Sequence, residues 1–243
     1  MASHYMSNKT LERLAALTFL VAMAFPVAGR EADDIPACVP PPSNNVRLVT
    51  GAPYSAFGTS ETVTTSADGS KVVRQNTIRM WRDSDGRTRS EFSLSSIGGP
   101  TPVEINRKLT VIDDPTAGER YMLQADGRVV VIPISACRVA ADDPDLSVGP
   151  PRPAHLRVSP PVRLGIRRVN GETATGSRVE ATIPAGAMGN EQPVTMSAEQ
   201  WYGKELKVVV EATYRDPRTG ETHYKLREIK RQEPDARLFR VPR

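Results

Sequence analysis

From Val46 onward the chain alternates apolar and polar residues in short runs, and turn signals separate the runs. The clearest run is 205–214. Leu206, Val208, Val210, Ala212 and Tyr214 fall on one face there, and Glu205, Lys207, Glu211 and Thr213 on the other, which is the period of two that a half-buried strand requires. The run 223–230 sets Tyr224 and Leu226 against His223, Lys225 and Arg227 in the same way. Asp68-Gly69, Asp126-Gly127 and Asn170-Gly171 suit type I′ hairpin turns, in which both central residues take positive φ. Residues 83–86 and 216–220 form two longer connections. The segments that flank these turns (72–81 and 87–94, 121–124 and 128–134, 163–169 and 173–183) then read as paired strands. Together they predict an antiparallel meander with one face buried and one wet. The only helix expected in this region is a short turn at 193–199. The Gly/Pro-rich stretch 183–190 reads as a loop, with the lip of an apolar cavity as its alternative.

The first 30 residues follow a different pattern. The run 14–25 is unbroken and apolar for 12 residues, against roughly 20 for a helix that spans a bilayer. Lys9 and Arg13 precede it, and Pro26-Val27-Ala28-Gly29 follows as a small-x-small cleavage site. We therefore expect a signal peptide at 1–29, an exported product (periplasmic or secreted), and no transmembrane segment in the mature chain. A buried helix and an uncleaved anchor are the alternatives, and the break at Pro26 favours cleavage. Residues 30–45 are acidic and Pro-rich and read as an extended leader. Residues 46–243 read as a single β-rich domain with a Pro/Arg-rich insertion near 142–162. The stretch 149–168 holds five prolines, five arginines and no acid, and reads either as a solvated connection or as an arm for an acidic partner.

Charge and composition narrow the chemistry. The net charge of +4 falls to +3 when two cations (Lys9, Arg13) and one anion (Glu12) leave with the signal. Both signs are interspersed, which is a solvated surface and not a nucleic-acid footprint. Cys38 and Cys137 are the two cysteines. In an oxidising compartment they are candidates for a disulfide that closes a long loop, a bridge of about 4 kcal/mol in the loop-entropy account. Lipid modification of Cys38 is the alternative. The three histidines, His4, His155 and His223, show no paired spacing, and there is no Cys-x-x-Cys, so no metal site is expected. Asp83, Asp85, Asp113 and Asp114 fall in turns, where capping explains them. No Gly-x-Ser-x-Gly elbow or phosphate loop is present. No enzyme, catalytic residue or cofactor is expected. A hydrolase would need His155 or His223 beside a hydroxyl and an acid.

Three segments carry a resemblance. They are Trp201-Tyr202 through Val210, then Arg215-Asp216-Pro217-Arg218-Thr219-Gly220-Glu221-Thr222, and then Arg231-Gln232-Glu233-Pro234-Asp235-Ala236-Arg237-Leu238-Phe239-Arg240-Val241-Pro242. With Ile183-Pro184-Ala185-Gly186 and the stretch 81–89, they resemble a family of uncharacterised exported bacterial proteins across most of 54–242. More distantly the layout is similar to the periplasmic lipoprotein localisation factors, the outer-membrane lipoprotein carriers. That resemblance implies a mainly β fold: a curved antiparallel sheet, an unclosed half-barrel with few short helices, around an apolar cavity for acyl chains. Its inner face would carry Ile78, Met80, Phe92, Leu94, Leu206, Val208, Val210, Tyr224 and Leu226 as ligand-binding residues. The implied function is a non-catalytic binding protein for a lipid or a lipoprotein acyl chain. An interaction domain of the cell envelope, working through sheet edges or the Arg-rich arm, is the second reading. Aromatic residues are only 5% of the chain, fewer than a deep lipid cavity would suggest.

Overall fold

The computed structural model describes residues 45–66, 68–94, 107–137 and 156–241. The signal peptide, the leader, Cys38, His155 and most of the Pro/Arg-rich insertion lie outside the described residues, as do the side chains of Leu94 and Cys137.

Two meanders build the sheet. The first runs β2 (Tyr54–Thr65), β3 (Lys71–Arg82), β4 (Thr88–Leu94), β5 (Arg107–Asp114), β6 (Glu119–Leu123) and β7 (Val129–Pro133). The second runs β10 (Val162–Val169), β11 (Glu172–Ile183), β12 (Val194–Gly203), β13 (Val208–Asp216) and β14 (Gly220–Lys230). Each strand is antiparallel to the next, and β14 pairs with β2, so the order is β10-β11-β12-β13-β14-β2-β3-β4-β5-β6-β7. The outer strands β10 and β7 do not meet, so the sheet is not closed into a barrel. A short strand β9 (Arg157–Val158) extends the β10 edge along β11, and Pro160-Pro161 separates β9 from β10. Asp68-Gly69, Asp126-Gly127 and Asn170-Gly171 all join consecutive strands, but of the three only the last has the expected type I′ form: Gly69 (φ 83°) and Gly127 (φ 84°) are left-handed, while Asp68 and Asp126 are not. At the last of these, Asn170 has φ 50° and Gly171 φ 88°, the left-handed pair that the turn requires.

The sheet coils most tightly at one end of its strands. β11 and β14 stand three strand spacings apart in the order, about 14 Å in a flat sheet. Yet the amide of Asn170, at the start of β11, donates to the Leu226 carbonyl of β14 at 2.6 Å. Arg231, just past β14, donates through Nε to Glu172 of β11 at 3.0 Å. Contacts that short require the intervening strands to curl. This end holds the main apolar cluster: Tyr54, Ala56, Ile78, Met80, Ala174, Trp201, Leu206, Val208, Val210, Tyr224 and Leu226 are all buried in it.

Strands β1 (Asn45–Arg47) and β8 (Ser135–Cys137) form a separate parallel pair. Val46, Ile134 and Ala136 pack on the same apolar cluster, so this ribbon covers the inner face of the coiled end. The sole helix among the described residues is a 3-10 turn, Ala236–Phe239, capped by the Asp235 carboxylate, which accepts from the Arg237 backbone N–H. It lies against β4, where Arg89 donates to the Leu238 carbonyl at 2.9 Å.

Two sequence expectations need correction. Residues 193–199 do not form a helical turn. Val194 onward is strand β12, paired on both sides, with β11 and β13. Residues 204–207 are a turn and not the start of a strand; Lys207 has φ 51° there. Leu206 still reaches the core from that turn. A bulge at β12 Trp201/Tyr202 shifts the register against β13 and breaks the strict alternation there.

Candidate ligand-binding face

The inner face is best defined on the three central strands, because residues directly opposite one another in antiparallel strands share a face. Tyr54 opposes Arg82, Ala56 opposes Met80, and Gly58 opposes both Ile78 and Leu226. Phe92 opposes Ile78 from β4 and packs on the cluster from its margin. Eight of the nine residues predicted for the inner face therefore come together in one cluster: Ile78, Met80, Phe92, Leu206, Val208, Val210, Tyr224 and Leu226. Leu94 follows Phe92 by two residues on β4, and its side chain lies outside the described residues. Gly58 makes room for its neighbours. A Cβ there would lie 2.5 Å from Ile78 Cγ2 and 3.1 Å from the Tyr224 ring.

The face is apolar but not uniformly so. Arg82 sits at its innermost end and is fully buried, with 0% of its surface exposed. Its Nε donates to the Ala52 carbonyl at 3.0 Å and its Nη2 to the same oxygen at 2.7 Å. Nη2 also donates to the Leu206 carbonyl. The guanidinium lies over the Tyr54 ring, 4.8 Å from its centroid. Among the described residues no carboxylate accepts from it, and its Nη1 has no hydrogen-bond partner. Burial pulls the Arg82 pKa below the usual arginine value, while the neighbouring Tyr54 and Tyr202 oppose that shift. A second cation stands nearby. Arg47 of β1 donates to the Tyr202 hydroxyl at 2.7 Å and stacks over its ring at 5.2 Å. The Tyr224 hydroxyl is also buried without a partner, and burial holds its proton far above the ordinary phenol range. Nothing in the sequence pattern marks Arg82. It ends a strand before an Asp-rich turn and reads as a surface cation.

Carboxylates cluster in structural pairs. Asp83 pairs with Arg87 at 2.6 Å, Asp113 with Arg120 at 2.5 Å and Asp216 with Arg218 at 2.7 Å, each at a strand end. Among the described residues, no three His, Cys, Asp or Glu side chains gather as a metal-binding group. A shallow pocket of about 340 Å³ opens between the β3–β4 and β5–β6 turns, lined by Asp85, Arg87 and Asp114 among others. It lies away from the apolar face.

His223 is less isolated than its place among charged residues suggests. Its Nε2 lies 3.0 Å from Glu221 Oε1, and its Nδ1 lies 3.3 Å from Thr213 Oγ1. The three line up hydroxyl, imidazole, carboxylate. The line lies on the opposite face of β13 and β14 from Tyr224, and Arg215 also holds Glu221, at 2.7 Å. Both strands are paired on each side, so their backbone N–H groups belong to the ladders and none is free to stabilise an oxyanion. The arrangement is a cross-strand polar ladder.

No family model matches the chain, and no curated protein matches it. Solved structures do. A LolA superfamily protein from Nitrosomonas europaea is 8% identical, with 78% of this chain and 90% of that one covered at a TM-score of 0.34. Mycobacterium tuberculosis lipoprotein LppX is 11% identical, with 76% and 90% covered at a TM-score of 0.33. A putative outer membrane lipoprotein-sorting protein domain from Vibrio parahaemolyticus is 10% identical, with 76% and 88% covered at 0.31. Among the described residues, no helix is long and apolar enough to cross a membrane.

Proposed function

We propose that the protein is an exported, non-catalytic binding module, periplasmic or secreted, that holds an apolar ligand such as a lipid or an acyl chain on the inner face of its coiled sheet. One observation carries the reading. A contiguous apolar face made by the long central strands is covered by a ribbon of two three-residue strands that pair only with each other. A cover of that size, seated by Val46, Ile134 and Ala136 and by the Arg47–Tyr202 contact, is displaceable. The face beneath it then offers burial at roughly 25 cal/mol per Å² of apolar surface. The ligand-binding residues are those predicted: Ile78, Met80, Phe92, Leu94, Leu206, Val208, Val210, Tyr224 and Leu226. Residues 46–243 act as one domain, and no metal or cofactor enters the function.

The test is direct. The folded mature protein should co-purify with lipid or bind a hydrophobic dye with its melting transition intact. A fully folded protein that carries no lipid and binds no dye overturns the reading.

A second reading has its own observation. On the β10 edge, Ile166 is 68% exposed and Val162 50%, and Arg163, Arg167 and Arg168 lie among them. An edge of that kind suits an interaction domain that docks on an anionic envelope partner. Association through it should weaken as salt rises, and Ile166→Glu should abolish it without unfolding the domain.

A further inference from the structure

The buried guanidinium of Arg82 is the feature the apolar face does not explain. A charge removed from water is costly unless paired, and buried charges in proteins are almost always paired or ligated. Arg82 receives two backbone carbonyls and an aromatic face, but no anion. One of its terminal nitrogens has no acceptor at all. The nearest second cation is Arg47, which adds to the positive field and does not offset it. The hydroxyl of Tyr224 is a further buried donor without a partner on the same face. The Arg82 end of the apolar face thus carries uncompensated positive charge and an unused Nη1, and the Tyr224 hydroxyl stands farther along the same face, over Gly58.

We infer that the ligand of this face is an anionic amphiphile: its head, a carboxylate or a phosphate, is received by Arg82 Nη1, and its tail lies along Met80, Ile78 and Leu226. The inference rests on the proposed apolar ligand and adds its head-group chemistry and polarity. Arg82, Met80 and Ile78 follow one another at alternate positions on β3, so the head site and the tail surface share one side of one strand. The guanidinium is suited to the task. It is planar, charged and weakly hydrated, and with Nε and Nη2 already given to the Ala52 and Leu206 carbonyls, Nη1 is the group left to receive an anion. A neutral amphiphile would leave that charge unpaired, and a cationic one would add repulsion.

The experiment compares three probes that share one tail: oleate, oleyl alcohol and oleylamine. Each displaces a hydrophobic dye from the full folded protein. Oleate should bind at least ten-fold tighter than the alcohol, and the amine should bind weakest. In Arg82→Met the acid and the alcohol should bind alike. In Arg82→Lys the acid preference should survive in part. If acid and alcohol bind alike to the native protein, or if the preference survives in Arg82→Met, the inference is overturned and the apolar-ligand reading stands. If none of the three binds, both fall. Inorganic phosphate alone separates the remaining source of the same chemistry. Stabilisation of the fold by phosphate without any dye displacement by oleate means a free-anion site, and overturns the amphiphile. Should Arg82→Met not fold, the order of the three head groups on the native protein decides the question.

Discussion

Along β2 the inner face passes from Tyr54, Ala56 and Gly58 to Ser60, Thr62 and Thr64, and along β3 from Arg82, Met80 and Ile78 to Asn76, Arg74 and Val72. The first three residues of each series are buried. At the far end of the ladder, where β3 begins, residues 71–75 are all exposed, and Val73 is 58% so. The two halves belong to the same hydrogen-bonded ladder, so backbone pairing does not distinguish them. The coiled end differs in what crosses from strand to strand on its faces: a cluster of large apolar side chains, the Asn170 and Glu172 ties to β14 and its exit, and the β1–β8 cover. The other end has local polar contacts, such as Thr62 with Thr222 at 2.9 Å. Strand pairing sets the layout here, and side-chain burial at one end sets the curvature and the stability.

The comparison can be broken most sharply by truncation. Leu226→Ala should cost about 2–5 kcal/mol, because a fully buried side chain leaves a cavity. Val73→Ala at the far end should change stability by less than about 0.5 kcal/mol. Urea midpoints for the two variants measure the contrast, and equal costs would show that the core is not confined to the coiled end. A smaller effect is expected from the tie between β11 and the exit of β14. Arg231→Ala leaves the Glu172 carboxylate, itself buried, without the guanidinium that holds it. Its cost should be about 1–3 kcal/mol, and Glu172→Gln in the same background should recover part of it.

The smallest effect concerns acid, and the two ends should differ in sign. At the open end, burial alone would raise the Asp216 pKa, but bonds from the side chain and backbone of Arg218 outweigh burial and hold it below the ordinary value of 3.8. Its contribution is therefore present above about pH 4 and is lost as pH falls through the native value. At the coiled end, burial lifts Asp83 above 3.8 despite Arg87. The native state then holds that proton more tightly, and stability declines as pH rises through the native value. Asp216→Asn should flatten the loss of stability below about pH 4, and Asp83→Asn should steepen it. Urea midpoints between pH 3 and 6 check both, and a shared sign would refute the difference in environment.

Much of the sheet was legible because its turns have local chemistry. The glycine of each Asp-Gly or Asn-Gly pair takes positive φ and reverses the chain locally, and the strands beside them alternate strongly enough to name their faces. β12 was not legible. Its first half reads Thr195, Ser197 and Glu199 against Met196 and Ala198, a pattern too weak to separate strand from turn, and its form is set by partners on both sides. β2 was hidden in the same way, since Gly58, Ser60, Thr62 and Thr64 occupy its inner positions where apolar residues would have announced it. The apolar part of the candidate face could be read from periodicity. Arg82 could not, because its burial is produced by the Ala52 and Leu206 carbonyls, which lie 30 and 124 residues away in sequence.

The β14–β2 junction also governs time. These strands make Thr62 and Thr222 neighbours across 160 residues of chain, and they join the first meander to the last strand. Long-range pairing of this kind slows folding, since the connecting chain must be ordered before the contact forms. The N-terminal meander can be synthesised in full and still show β2 as a bare edge until residue 220 and beyond have emerged. During that interval its edge is open to strands of other chains. The protein is therefore at most risk of mispairing while its last strand is still being made, and a partner that shields β2 until then would raise its yield.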